Sequence, residues 1–345
     1  MREAGPGSLP PGCRMTAPLD LLVLGNAIVD IIARTDEAFL VRESVHKGAM
    51  QLIDEARAEH LFGVMGPATI VSGGSGANTA VGAAQLGART GFVGKVRDDE
   101  LGRLFRHDLT ATGVRFDVAP TSEGPATARC FVLVTPDGER TMNTYLGACQ
   151  GLTAADVDEA TAGSARFVYL EGYLWDPPAA KDAFRKAATL AHQAGNRVAL
   201  TLSDAFCVDR YRDEFLGLIR DGSLDILFAN IHELKSLYQT ADAEAALSAL
   251  REEAGLLGVV TRSSEGALVV TRGETRAVPA SPIRDLVDTT GAGDLFAAGF
   301  LAGLARDLDH VDCARLGAIA AAEVIQHIGA RPQTDLRALA AQEGL

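Results

Sequence analysis

Residues 288–294 read D-T-T-G-A-G-D and are followed by L-F-A-A-G-F at 295–300. This order predicts a glycine-rich turn that opens onto a helix of small and apolar residues, with Asp294 in the first helical turn. The first amides of a helix have no internal partner, and the helix dipole makes that end electropositive, so a phosphate can bind there. Gly291 and Gly293 allow the backbone to approach such an anion closely.

Asp294 has two interpretations in this turn. An Asp at the start of a helix is commonly an ordinary cap. A carboxylate beside a bound phosphate repels it, but is useful there if it accepts the proton of a hydroxyl that attacks the phosphate. The length of the surrounding pattern favours the second interpretation. We expect the helix end to lower the pKa of Asp294 and to make it a weak base.

A second glycine-rich stretch lies upstream, where residues 72–80 read S-G-G-S-G-A-N-T-A and residues 92–96 read F-V-G-K-V. The run at 288–300 resembles the C-terminal signature of the ribokinase-like (PfkB) small-molecule kinases, and the upstream stretch resembles their first signature. Both occur in the family's order and spacing, and the resemblance extends from about residue 20 to about residue 335.

The pattern along the chain predicts an α/β fold, because short buried-strand runs alternate with helical patterns. We expect a central, mostly parallel sheet with helices on both faces. Two stretches, about 28–53 and about 126–146, are strand-rich without an intervening helix, and P-D-G-E at 136–139 signals a hairpin. The resemblance implies that both stretches form a small β-sheet lid over the acceptor, within one ribokinase-like domain at 19–335.

The composition excludes several classes of protein. A formal net charge of −13 over 345 residues argues against a nucleic-acid partner and implies a locally positive nucleotide site, because the acidic surface repels ATP at long range. The five scattered cysteines form neither a zinc motif nor a disulfide framework. No apolar run is long enough to span a membrane. Residues 1–18 do not resemble a signal peptide and are expected to be a disordered tail, with Met15 as an alternative start. We expect a cytoplasmic protein.

The resemblance implies roles around the turn at 288–294. The backbone amides of Gly291, Ala292 and Gly293 would bind the γ-phosphoryl group and stabilise charge on its oxygens. Asp294 would be the base. Arg140, in the predicted hairpin, is similar to a lid arginine that reaches the transferred phosphate; the alternative is a solvated hairpin arginine.

The expected acceptor site combines the upstream glycines with residues 25–30, which read G-N-A-I-V-D. A carboxylate in an apolar segment needs a partner, and a sugar diol can supply one. This segment resembles the ribose-reading segment of adenosine kinases. The alternatives are a surface Asp at a strand end and a purely structural glycine turn. The expected acceptor residues are Asn26, Asp30, Gly73, Gly74, Ser75 and Asn78.

The expected nucleotide site uses Asn230 and Glu233, which resemble the family's N-x-x-E motif, whose Glu orders water around Mg²⁺. Thr261 to Gly266 resembles the nucleotide loop T-x-G-x-x-G, with Ser263 in place of its first Gly. Because of this departure, the sequence indicates the identity of the phosphate donor less firmly than it indicates phosphoryl transfer. Gly293 would also contact the nucleotide.

These features predict an ATP-dependent kinase that phosphorylates the 5′-hydroxyl of a ribonucleoside, above all adenosine to AMP. The resemblance implies Mg²⁺ and leaves open a monovalent cation such as K⁺. One alternative is a PfkB-type sugar kinase acting on ribose, fructose or a keto-deoxy sugar acid. Another is a nucleotide- or sugar-binding protein without turnover, against which Asp294 argues. The expected partners are small molecules only, with neither nucleic acid nor membrane, and the chain is expected to be a monomer or a homodimer.

Overall fold

The computed structural model describes residues 18–345, so nearly all of the expected tail at 1–18 lies outside the described residues. The described strands are β1 Leu21–Leu24, β2 Ile28–Arg34, β3 Met50–Leu52, β4 Ala68–Ser72, β5 Thr90–Val93, β6 Ala128–Val134, β7 Arg140–Tyr145, β8 Phe167–Glu171, β9 Arg197–Thr201, β10 Ile226–Asn230, β11 Leu257–Thr261, β12 Ala267–Thr271 and β13 Glu274–Val278.

The described α-helices are α1 Glu37–Arg42, α2 Glu55–Val64, α3 Ser75–Gln85, α4 Glu100–Ala111, α5 Glu159–Ser164, α6 Pro178–Gln193, α7 Ala205–Arg220, α8 Ile231–Leu237, α9 Ala243–Glu252, α10 Ala292–Ala305, α11 His310–Val324 and α12 Leu336–Gln342. Within residues 18–345, no helix is long and apolar enough to cross a lipid bilayer.

The central sheet has eight strands in the order β13-β12-β11-β10-β9-β8-β1-β5. The six strands from β11 to β5 run parallel, and β12 and β13 return antiparallel as a hairpin. One apolar cluster packs α3, α4, α10 and α11 on one face, and a second packs α6, α7, α8 and α9 on the other. The predicted mostly parallel sheet with two helical faces is confirmed.

Parallel strands bring the residues that follow them to one edge of the sheet. Asn26 follows β1, Glu171 ends β8, Asn230 ends β10 and Thr261 ends β11. The N-terminus of α3 reaches the same edge, because Glu171 accepts a hydrogen bond from the amide of Gly76. Polar residues that are far apart in sequence therefore meet at this edge.

The small second sheet has the order β3-β7-β6-β2-β4. The hairpin of β6 and β7 forms as the turn at 136–139 predicts. The sheet also includes β4, which lies outside both strand-rich stretches and pairs antiparallel with β2. The expectation of no helix within 28–53 was wrong: Asp36 caps α1 by accepting from the amide of Phe39, and the side chains of Phe39 and Leu40 pack in the sheet's own apolar cluster.

Candidate active site

A cavity of about 790 Å³ lies between the edge of the central sheet and the small sheet. The small sheet contributes Asp30, Cys130 and Thr144 to its lining, and the central sheet contributes Asn230 and Thr261. The N-termini of α3 and α10 complete the wall. Both glycine-rich stretches singled out in the sequence therefore face one cavity.

Asp294 lies at the N-terminus of α10, and α3 holds its carboxylate from the other side. One oxygen accepts a hydrogen bond from Ser75 Oγ at 2.7 Å, and the other accepts from Asn78 Nδ2 at 3.0 Å. Thr79 Oγ1 donates to the Asp294 backbone carbonyl at 3.2 Å. The arrangement fixes the rotamer of Asp294 and joins the two signature helices at one carboxylate.

The expected lowering of the Asp294 pKa was wrong. Desolvation by the surrounding protein raises the pKa of Asp294, although the hydrogen bonds from Ser75 and Asn78 oppose that rise. Burial therefore outweighs the helix end. A raised pKa makes Asp294 a stronger proton acceptor than the sequence argument allowed.

The turn before α10 requires glycine for two different reasons. Gly291 has φ +79°, and a Cβ there would lie 2.8 Å from the Cβ of Ala330. A Cβ on Gly293 would instead meet nothing within 4 Å, so the space beside this residue is open. The first α-helical hydrogen bond of α10 runs from Leu295 to the Gly291 carbonyl, at 2.8 Å. Of the preceding amides, that of Ala292 donates to the Thr289 carbonyl at 3.2 Å, whereas those of Gly291 and Gly293 are available to an anion.

Asp30 lies in β2, and its side chain packs directly on the glycine turn before α3. A Cβ on Gly73 would lie 2.2 Å from Asp30 Oδ2, and one on Gly74 would lie 2.4 Å from the Asn26 carbonyl. Gly74 also has φ +88°. Burial raises the pKa of Asp30 to about 6, against the opposing effect of nearby Arg140. The glycines therefore leave room for a carboxylate that faces the cavity.

Glu171 is a buried residue of the site that the sequence reasoning missed. Its carboxylate accepts from the Asn26 amide at 3.1 Å, from Asn26 Nδ2 at 2.9 Å and from the Gly76 amide at 2.7 Å. Burial raises its pKa to about 7. The side-chain amide of Asn26 therefore donates to Glu171. The sequence feature that could have pointed to Glu171 is its position directly after the apolar run F-V-Y-L at 167–170.

Arg140 forms a buried ion pair with Asp288, the first residue of the D-T-T-G-A-G-D run. Asp288 also accepts from the amides of Thr290 and Gly329, each at 2.9 Å. Burial favours a higher pKa for Asp288. The two hydrogen bonds and the Arg140 guanidinium outweigh it and hold the pKa of Asp288 below its usual range. The pair joins the small sheet to the turn before α10, and the alternative of a solvated arginine does not hold.

Asn230 and Glu233 form a capping box at the start of α8. Asn230 Oδ1 accepts from the Glu233 amide at 2.9 Å, and Glu233 accepts from the amide and the side chain of Asn230. Burial raises the pKa of Glu233 to about 7. Residues 18–345 contain no group of three His, Cys, Asp or Glu residues that could hold a metal. The role expected for Glu233, ordering water around Mg²⁺, stays a prediction.

The loop from Thr261 to Gly266 divides into a cavity part and a structural part. Thr261 lines the cavity, whereas Gly266 does not. Gly266 has φ +84°, and a Cβ there would lie 2.1 Å from the Val278 carbonyl. Ser263, where relatives carry Gly, adopts the left-handed φ of +53°. The backbone thus keeps the conformation that glycine favours.

Acidic side chains dominate the charged residues that line the cavity. They are Asp30, Glu171, Asp176, Asp204, Asp209, Glu233 and Asp294. Of the described residues that line the cavity, Arg210 carries the one guanidinium, and it lies 3.0 Å from Asp176. These side chains do not form the expected locally positive nucleotide site. The positive ends of α3 and α10 remain as sources of positive potential in the wall.

Comparisons with known proteins agree with this geometry. A family model for the pfkB family carbohydrate kinases matches residues 66–336. The solved adenosine kinase from Sinorhizobium meliloti is 51% identical, with a TM-score of 0.90, and the match covers 95% of this chain and 100% of that one. The structure of a "probable sugar kinase protein" from Rhizobium etli is 50% identical, also with a TM-score of 0.90, covering 95% of this chain and 99% of that one.

A curated relative, an ATP-dependent ribose-1-phosphate kinase from Halopiger xanaduensis, is 33% identical over 239 residues, or 69% of this chain and 74% of that protein. The chain belongs to the pfkB family of carbohydrate kinases, and it is a phosphotransferase with a hydroxyl group as acceptor. The family and the fold expected from the two glycine signatures are confirmed.

Proposed function

We propose that this kinase transfers the γ-phosphoryl group of ATP to the 5′-hydroxyl of a ribonucleoside, with adenosine as its first substrate. The observation that carries the proposal is Asp294, fixed by Ser75 and Asn78 between the two glycine turns and facing the same cavity as Asp30. The similarity to the Sinorhizobium meliloti enzyme supports the choice of adenosine.

In the proposed reaction, the acceptor oxygen forms a bond to the γ-phosphorus as the bond to the β–γ bridging oxygen breaks, and ADP leaves. Asp294 accepts the hydroxyl proton. The amides of Gly291 and Gly293, and that of Ala292 once it leaves the Thr289 carbonyl, donate to the phosphoryl oxygens, where negative charge develops. The raised pKa of Asp294 suits the proton transfer.

The acceptor contacts are assigned to Asp30, Asn78 and the backbone of Gly73 and Gly74. No described side chain donates a hydrogen bond to the Asp30 carboxylate, so it is available to a pair of ribose hydroxyls. Asn26 supports this site from behind, because its side-chain amide is held by Glu171. Ser75 acts through Asp294.

The charge of the lining favours an uncharged acceptor. A carboxylate or phosphate on the acceptor would enter a cavity with seven acidic side chains in its wall, and like charges repel strongly where water is excluded. A nucleoside carries no such group. The keto-deoxy sugar acids and sugar phosphates are therefore the weaker candidates among the family's acceptors.

Mg²⁺ fits the nucleotide end of the cavity, where it would neutralise phosphate charge when bound. Asn230 and Glu233 would hold its water shell, and Thr261 and Gly266 would shape the nucleotide loop. The capping box keeps Glu233 buried and in place. Nothing in this proposal depends on a monovalent cation.

An ADP-release assay over a panel of acceptors tests the proposal. Adenosine, ribose, fructose, ribose 1-phosphate and a keto-deoxy sugar acid are compared at equal ATP, with Asp294→Asn as the blank. Adenosine should give the highest kcat/KM. A higher value for ribose or fructose would establish the sugar kinase instead. ADP release no greater than the blank with every acceptor would favour a binding protein without turnover.

A further inference from the structure

Arg331, in the C-terminal segment, lies behind Asn78 rather than in the lining of the cavity, and nothing in the sequence singled it out. It follows α11, and its Nε donates to Asn78 Oδ1 over 3.4 Å, across 253 positions of the chain. Its Nη2 is buried and has no hydrogen-bond partner among the described residues. Buried polar groups in proteins normally have hydrogen-bond partners, so this unpartnered guanidinium nitrogen calls for a structural or functional explanation.

The backbone around Arg331 is fixed to the turn before α10. The Gly329 amide donates to Asp288, and Ala330 occupies the space that a side chain on Gly291 would need. On the other side, Glu323 accepts from the amides of residues 333 and 334 at 2.9 and 2.8 Å. Arg331 is therefore presented by a segment that touches the anion-binding turn.

Hydrogen-bond chemistry gives the Asn78 side chain a single orientation. A guanidinium only donates, and an ionised carboxylate only accepts. With Arg331 on one side and Asp294 on the other, the amide must turn its oxygen to Arg331 and its nitrogen to Asp294. Without Arg331, the amide oxygen would lose this donor, and the orientation would rest on Asp294 alone.

Charge gives Arg331 a second effect. Burial lowers its pKa to about 10, so it remains a cation at neutral pH. The guanidinium groups of Arg140, on β7, and Arg331 favour the ionised form of Asp30, while Asp288 and Asp294 disfavour it. Cys130, on β6, is a neutral thiol because burial raises its pKa to about 12.

We infer that Arg331 is a positioning residue of the acceptor site, which turns the Asn78 amide toward Asp294. This inference rests on the proposed function only in assigning Asn78 to acceptor binding. The contacts themselves do not depend on which acceptor the enzyme takes.

The test compares Arg331→Gln, which removes the charge, with Arg331→Lys, which keeps it but removes the planar fork. Arg337→Gln, an exposed arginine six residues on, is the matched control. In Arg331→Gln, kcat/KM for the acceptor should fall by about tenfold or more. The acid limb of the pH profile of kcat/KM should also move about one unit toward neutral pH. Arg331→Lys should keep the parent's acid limb but show a lower kcat, because Asn78 loses its partner.

A measurement without substrate separates this inference from the proposed function. The carboxyl titration of Asp30, followed by ¹³C NMR and assigned with Asp30→Asn, should have its midpoint near pH 6 in the parent and in Arg331→Lys. It should lie about one unit higher in Arg331→Gln. An unchanged midpoint in Arg331→Gln would overturn the charge effect, whatever the acceptor.

The two proposals can therefore fail independently. If adenosine is not turned over but a sugar is, the same variants are compared on that sugar. If Arg331→Gln does not fold, Arg331→Lys still tests the Asn78 contact, and a kcat equal to that of the parent would overturn the inference.

Discussion

Asp294 and Asp30 are two carboxylates in one cavity, and their surroundings give them different chemistry. Asp294 accepts from Ser75 and Asn78, whereas Asp30 receives no hydrogen bond from a described side chain and relies on two guanidinium groups nearby. A carboxylate with fixed partners is suited to repeated proton transfer in one geometry. A carboxylate that faces open space is suited to binding hydroxyl groups.

Changing Asp294 to Asn tests the proton acceptor. We expect turnover to fall on the order of 10²–10⁴-fold, the usual contribution of a positioned base. ATP binding should be unchanged or tighter, because a charge that repels phosphate has been removed. Steady-state kinetics and a nucleotide titration measure the two effects.

Asp309→Asn is the matched control for that change. Asp309 caps α11 by accepting from the amides of Val311 and Asp312, and Asn caps helices about as well as Asp. It should leave kcat within about twofold. Turnover of Asp294→Asn close to that of this control would rule out Asp294 as the base.

Changing Asp30 to Ala tests whether this carboxylate binds the ribose hydroxyls. The variant should raise the KM of the acceptor far more than that of ATP, because only the acceptor hydroxyls contact this carboxylate. If Asp30 binds the ribose hydroxyls as proposed, 2′-deoxyadenosine should be a poor substrate of the parent enzyme, by up to about 10⁴-fold in kcat/KM. Equal kcat/KM for adenosine and deoxyadenosine would show that Asp30 does not read the ribose.

At the residue scale, the sequence predicts the residues that local motifs mark and misses those that only tertiary contacts create. Asp30 and Asp294 follow from G-N-A-I-V-D and D-T-T-G-A-G-D, and both line the cavity. Glu171 and Arg331 carry no local signature, since their partners lie 95 to 253 positions away. The direction of the Asp294 pKa was wrong because helix position is visible in the sequence and desolvation is not.

At the element scale, the helices with clear apolar spacing were predictable and the short ones were not. The helix of small and apolar residues expected after the turn at 288–294 is α10, Ala292–Ala305. By contrast, α1 has six residues and owes its stability to Asp36 and to burial of Phe39 and Leu40. Such a helix is set by tertiary packing rather than by its own propensity, and its sequence reads as part of a strand-rich stretch.

The small sheet is proposed to close over the acceptor. Its two stretches, about 28–53 and about 126–146, should become protected from hydrogen exchange when adenosine binds, and only weakly when ATP binds alone. The reason is that closure excludes water, which competes with the acceptor hydroxyl for the γ-phosphate. Exchange measured by mass spectrometry on the free, ATP-bound and adenosine-bound enzyme checks this.

Arg140→Ala tests the link between this sheet and the turn before α10. Its ion pair with Asp288 joins β7 to the anion-binding turn, so its loss should lower kcat more than it raises the KM of the acceptor. Arg34→Ala, at the exposed end of β2, is the control in the same sheet. Unchanged exchange in both stretches on adding an accepted substrate would remove the closure from the mechanism.

At the scale of the whole molecule, the net charge repels ATP but has no such effect on uncharged adenosine. The net charge is −13, and the cavity wall adds seven acidic side chains to a single guanidinium. ATP approaches such a protein against a repulsive field, whereas adenosine, which is uncharged, does not feel it. Close to the turn, the positive end of α10 takes over, but its influence falls off within about one helical turn.

Ionic strength should therefore separate the two substrates. The screening length falls from about 30 Å at 0.01 M salt to about 8 Å at 0.15 M, so added salt removes the long-range repulsion and leaves the contacts of the site. We expect the association rate constant of a fluorescent ATP analogue, measured by stopped flow with Mg²⁺, to rise severalfold across this range. That of adenosine, the uncharged control, should stay constant. An ATP association rate that falls with salt would mean that a local positive field steers the nucleotide, and that the acidic wall does not govern its approach.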